Sequence, residues 1–148
     1  MSTTETDLFR IGELARRVGA TPRAVRYYEE LGLLVGHGRP EGSHRLYGSH
    51  DEARLRELLR IRDLLGLSLG ELREWVDAET RRAQLRARWN EDETITSAER
   101  IAIMTEALGH LETQLSVVRA RREALEELED GLVSHRRRVR ALLAEFEA

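Results

Sequence analysis

The chain has 148 residues, with 24 Lys and Arg against 27 Asp and Glu, a formal net charge of −3 and no cysteine. That length suits one domain with an extension and excludes a second full-size ligand-binding domain, while the lack of thiols excludes thiolate-bound soft metals and iron–sulfur clusters. No apolar run approaches a membrane span, and the start MSTTETD lacks a cationic region followed by an apolar one, so a cytoplasmic protein with a frayed tail over residues 1–7 is expected.

From there Ile11, Leu14, Ala15 and Val18 fall at helical spacing, and Gly19 and Ala20 leave a tight corner before the next element. Thr21 suits an N-cap, Pro22 the first helical position and Gly32 the exit, which brackets a second helix of about 11 residues. The pair is a helix-turn-helix candidate. On its second helix Val25 and Leu31 are expected to face inward. Arg23, Arg26, Tyr27 and Tyr28 supply forks for guanine edges and phosphates, and phenols for phosphate oxygens. The plain alternative makes Tyr27 or Tyr28 partly core and the arginines a solvated face.

Leu33, Leu34 and Val35 next suggest a short strand, residues 36 to 42 a glycine-rich loop with Pro40, and Arg45, Leu46 and Tyr47 the returning strand. Such a hairpin beside a helix-turn-helix is a wing. Arg39, His44, Arg45 and Tyr47 are expected along it as phosphate or minor-groove contacts, with Ser43 a turn former. The acidic total hides a local excess: residues 10 to 47 hold seven Arg against four Glu. Steering toward phosphate requires such a local excess.

The runs RIGELARRVG, TPRAVRYYEELGLL and GSHRLY resemble, in order, the DNA-binding domain of the MerR family of bacterial transcriptional regulators. The resemblance covers residues 8–78. It implies a homodimer of winged domains joined by an antiparallel pair of long helices, bound to an inverted repeat in double-stranded promoter DNA. The resemblance further implies distortion of the spacer DNA and RNA polymerase as the partner at the promoter. It also implies that Arg23, Arg26, Tyr27 and Tyr28, with Arg39, Arg45 and Tyr47, face DNA; Thr21 and His44 complete the expected DNA-binding set.

Beyond the wing, Ser49 and Glu52 match a capping box, followed by an apolar stripe of Ala53, Leu55, Leu58, Leu59 and Ile61, and Gly66 ends that helix. Ser68 and Glu71 match a second box ahead of Leu69, Leu72, Trp75 and Val76. By resemblance these two helices brace the first pair and touch flanking backbone, with Arg54, Arg60 and Arg62 as phosphate candidates or plain solvated surface. Residues 79–96 read as a helical extension carrying Leu85 and Trp89, then a loop near 90–96, with a restart at Ser97.

Ile101, Met104, Leu108, Leu111, Leu115 and Val118 then alternate steps of three and four, a coiled-coil seam. Arg122 interrupts it, and the stripe resumes one phase over from Leu125, with His135 in register. Dimerisation is assigned to residues 97–132, through those six and Leu125, on a helix of ~50 Å. Residues 133–148 form a helical tail. Gly131 and Ser134 offer a stop and a cap for a fold-back, yet the apolar register passes through them unbroken.

The fold class expected is mainly α: a winged helix-turn-helix domain with a small β-hairpin wing, followed by a long coiled-coil dimerisation helix. The function expected is a dimeric DNA-binding transcriptional regulator, with a low-specificity architectural DNA-binding protein or a switchless regulator as alternatives. No catalytic set, cofactor or metal site is expected. The five histidines form no i, i+4 pair, and no phosphate-cradling loop is present. Any effector is unidentified and not a thiophilic metal; Trp75 and Trp89 are the candidate pocket walls, with core packing as the competing role.

Overall fold

The computed structural model describes residues 7–36, 44–91 and 93–148. The chain divides into two compact units, Met1–Asp77 and Ala78–Ala148. Five helices follow in order, α1 (Ile11–Val18), α2 (Pro22–Glu30), α3 (Ser49–Leu65), α4 (Leu69–Glu91) and α5 (Ser97–Glu147). The mainly α class is as expected from the sequence.

In the first unit, α1 ends where Gly19 takes φ 71°, a left-handed conformation that costs glycine nothing. One residue later Thr21 caps α2: its Oγ1 accepts from the Ala24 N–H at 3.1 Å, and Pro22 occupies the first turn. Thr21→Ala should therefore lower the unfolding free energy by about 1 kcal/mol, read from urea denaturation; an unchanged midpoint would contradict the cap. Leu14 and Ala15 of α1, Val25 and Tyr28 of α2, and Leu55, Leu58 and Leu65 of α3 are buried as the core of this unit. Ala53, expected in the α3 stripe, is exposed, and Asp51 is buried instead.

That exchange reflects a shifted cap. The α3 N-cap is Gly48, one residue ahead of the expected Ser49, and the N3 partner is Asp51 rather than Glu52. Asp51 Oδ2 accepts from the Gly48 N–H at 2.8 Å, and Oδ1 accepts from the Gly36 N–H at 3.2 Å. Only a residue pointing inward can make both bonds, whereas Glu52 reaches outward to Arg17 and Arg56. Ser68 and Glu71 do close the second box, at 2.7 and 3.2 Å.

One arm of the expected hairpin differs, and its loop over residues 37–43 lies outside the described residues. Leu33 and Leu34 are both buried, which an alternating edge strand forbids, and no strand is formed over residues 33–36. Tyr47 instead pairs in antiparallel fashion with Phe9, through N–H to carbonyl bonds of 2.7 and 2.9 Å. Gly36 turns the chain with φ 69°, and a Cβ there would lie 3.2 Å from the Tyr47 ring. The loop carrying Arg39, Ser43 and His37 lies outside the described residues, as does the tail over residues 1–6.

The second unit packs α5 on the end of α4. Leu85, Ile95 and Ile103 are buried, with Trp89 and Ala107 against them, and the Arg82 guanidinium donates to the buried Gln114 at 2.8 Å. Helix α5 restarts at Ser97, as expected, and is capped by Thr96 and Glu99: Thr96 Oγ1 accepts from the Glu99 N–H, and the Glu99 carboxylate accepts from the Thr96 N–H. From that cap α5 continues without interruption through Gly131 and Ser134 to Glu147, so residues 133–147 do not fold back.

Candidate nucleic-acid interface

Helix α2 presents Arg23, Arg26 and Tyr27 outward, because Val25 and Tyr28 take the inward positions of the same turns. Tyr27 is 45% exposed. Arg26 stands between two concavities. An open cleft of about 790 Å³ is lined by Arg10, Gly12, Arg16, Arg26, His44 and Arg45, among others, and a shallower one of about 530 Å³ by Thr21, Arg23, Arg26 and Tyr27. The first cleft gathers four arginines from α2, the segment before α1, α1 itself and the residues after the loop. Glu13, Glu29 and Glu30 lie on its walls, so the surplus is cationic but moderated.

Two of the expected contact residues take other roles. Tyr28 is 2% exposed, and its hydroxyl accepts from Arg62 at 2.8 Å. Tyr47 is equally buried, and its hydroxyl donates to Glu29, which also pairs with Arg45. A ring so enclosed cannot lie along a sugar-phosphate chain; its phenol ties the returning segment to the end of α2 instead. Burial pushes the Tyr47 phenol above its ordinary pKa, against the lowering pull of the Arg45 charge.

Arg45 is 40% exposed at its side chain and remains on the cleft, although Glu29 engages it in the free protein. His44 is exposed there too. Thr21 lines the shallower concavity, but its hydroxyl oxygen is committed to the cap. Arg39 lies outside the described residues. Arg60 is paired with Glu57 at 2.9 Å, which suits solvated surface, whereas the half-buried Arg62 divides itself between Asp63 at 2.9 Å and the Tyr28 hydroxyl.

Residues that sequence reasoning missed are Arg10, Arg16 and Glu29, together with the brace between α1 and α3. In that brace Arg17 lies 4.0 Å over the Phe9 ring and bonds Glu13 and Glu52, while Arg56 donates to the Arg17 carbonyl at 2.6 Å. The Arg56 hydrogen bond holds Glu52 below the usual carboxylate range. The Glu13 and Arg17 spacing of four was a readable signal; the links across 35 and 39 residues were not.

The proposed pocket walls have separate surroundings. Trp75 is half-buried in the first unit. Trp89 packs in the second unit's core with the Arg100 guanidinium 4.7 Å above its ring. Among the described residues no three His, Asp or Glu gather as metal ligands, and no helix is long and apolar enough to cross a membrane.

The seam residues of α5 are exposed, whereas Ile103 and Gln114 of the same helix are buried. Ile101, Met104, Leu108, Leu111, Leu115 and Val118 range from 38% to 61% exposed, and Leu125 is 57% exposed. This apolar face is uncovered in the single chain.

Residues 9–79 match the model of the MerR HTH family of regulatory proteins. The chain is 37% identical over 68 residues to the HTH-type transcriptional regulator YfmP of Bacillus subtilis, which covers 46% of this chain and 49% of that protein. It thus spans about half the length of that curated relative. It is 31% identical over 124 residues to the HTH-type transcriptional regulator ZntR of Escherichia coli, covering 84% of this chain and 80% of ZntR. A solved structure of a putative MerR family transcriptional regulator from Listeria monocytogenes is 27% identical, covers 86% of this chain and 98% of that one, and superposes with a TM-score of 0.44.

Proposed function

This chain belongs to the MerR HTH family of regulatory proteins, and from that premise we propose that it regulates transcription by binding an inverted repeat in promoter DNA as a homodimer. The observation that carries this reading is the outward trio Arg23, Arg26 and Tyr27 on α2, flanked by a cleft rich in arginine. A helix that shows bidentate donors between two concavities matches a major-groove reader with phosphate contacts on either side.

The dimer is assigned to the uncovered seam of α5. Two such helices running antiparallel set Ile101 against Val118, Met104 against Leu115 and Leu108 against Leu111, so that every layer is apolar. Each leucine so covered is worth roughly 2 kcal/mol relative to leaving it in water. The reading includes bending and underwinding of the spacer between polymerase recognition elements, with sequence-dependent deformability adding to specificity. The reading includes no thiolate-bound metal, since these 148 residues hold no cysteine.

Arg26→Ala and Tyr27→Ala test the reading. Each should weaken binding to the protected promoter repeat by about tenfold to a hundredfold in fluorescence anisotropy, with Arg26→Ala also relaxing preference at one base pair. Unchanged affinity in both variants would remove α2 as the reading element.

A further inference from the structure

The segment that returns from the loop is anchored twice without Arg45. Tyr47 exchanges backbone bonds of 2.7 and 2.9 Å with Phe9, and its enclosed phenol donates to Glu29 Oε2. Arg45, two residues earlier, adds a bond from Nη1 to Glu29 Oε1 that this anchoring does not need. Its side chain is 40% exposed on the cleft and that of Glu29 only 17%. The guanidinium can therefore swing on its stem while the carboxylate stays in the wall.

The four cleft arginines thus differ in kind. Among the described residues Arg10, Arg16 and Arg26 have no ion pair, whereas Arg45 is held by an acid of the cleft itself. The other acids on the walls do not act this way: Glu13 pairs with Arg17, and Glu30 has no ion pair among the described residues. A phosphate entering the cleft must compete with Glu29 for the fourth guanidinium. Release of Arg45 would leave no bare acceptor behind, because Oε2 keeps the Tyr47 hydroxyl. One carboxylate oxygen holds the fold, and the other occupies a cation suited to phosphate.

We propose that Glu29 is an affinity-setting residue of the interface, which withholds Arg45 from the DNA backbone and so lowers the sequence-independent part of binding. The inference rests on the DNA-binding reading given above. Sequence-independent affinity grows with each phosphate neutralised, so a withheld arginine weakens binding without touching the contacts that read bases.

The test uses full-length protein on a duplex carrying the protected repeat, with fluorescence anisotropy for affinity, ethylation interference for individual phosphates and circular dichroism for helicity. Glu29→Gln has the same shape and leaves an oxygen for the Tyr47 hydroxyl. It should tighten binding at low salt by about twofold to fivefold per head, the range expected when an exposed ion pair no longer competes. One further phosphate in each half-site should become sensitive to ethylation, and adding Arg45→Ala should remove it again. Arg45→Ala alone, which keeps both Tyr47 anchors, should leave the parent's interference pattern as it is. Three results would overturn the proposal: loss of a phosphate from the parent's pattern in Arg45→Ala, unchanged or weaker binding in Glu29→Gln, or tighter binding in Glu29→Gln with no added phosphate. A parent that binds no duplex would overturn the DNA-binding reading along with it, whereas any of the three in a parent that binds leaves that reading intact.

Discussion

Replacing Leu111 by glutamate is expected to lower affinity for an intact inverted repeat by about a hundredfold or more, while affinity for an isolated half-site stays as in the parent. Leu111 lies in the middle of the first seam, is 38% exposed in the single chain and faces Leu108 of the second copy in the proposed pairing. By symmetry one substitution puts two carboxylates into apolar layers, and a buried unpaired charge costs several kcal/mol. The winged unit, residues 1–77, contains none of the altered surface and should retain its own contacts. Binding curves on the full repeat and on a half-site separate the two effects. Retained preference for the full repeat would show that the heads are joined elsewhere.

The second large effect is expected at Asp51. Its carboxylate accepts from the backbone of Gly48 at the start of α3 and of Gly36 where the chain leaves the core, and it is itself buried. Asp51→Ala leaves one buried and one part-buried donor without that acceptor, a cost of about 3 kcal/mol given the usual worth of hydrogen bonds to a charged group. Urea denaturation of the full chain should show this as a lowered midpoint, with Asp51→Asn intermediate because one amide oxygen replaces two carboxylate oxygens. A loss below about 1 kcal/mol would mean that the cap and the Gly36 turn are held by other contacts.

Local signals carried much of this molecule. Thr21, Pro22 and Gly19 bracket the recognition pair because caps and left-handed turns are set by residues adjacent in sequence. The α5 stripe was likewise readable, since periodicity survives whether or not a partner covers it. What failed were choices between equivalent local patterns. Gly48 with Asp51 and Ser49 with Glu52 are one residue apart, and the inward direction that decides between them is fixed by Gly36, fifteen residues from Asp51. Tyr27 and Tyr28 are neighbours of the same type, yet one is 45% and the other 2% exposed. The difference is set by α3, where Arg62 donates to the Tyr28 hydroxyl. Tyr47 was read as part of an alternating strand with Leu33 to Val35, but its backbone partner, Phe9, lies 38 residues earlier.

These reassignments narrow the proposed DNA-facing set on α2 to the exposed Arg23, Arg26 and Tyr27 and add Arg10 and Arg16, which line the cleft. Glu29 becomes the pivot between them, since it holds both Arg45 and the Tyr47 hydroxyl. Arg45 can therefore contact phosphate only by leaving or sharing that carboxylate. The free head is thus less cationic at this point than its arginine content suggests.

The most direct test of the central claim is footprinting of the purified protein on the promoter upstream of its own gene, repeated over a salt series. The account predicts protection of one inverted repeat, with log affinity falling as log salt rises and preference over unrelated DNA kept throughout. Binding that spreads evenly over every sequence, or no protection on any promoter DNA, would contradict it.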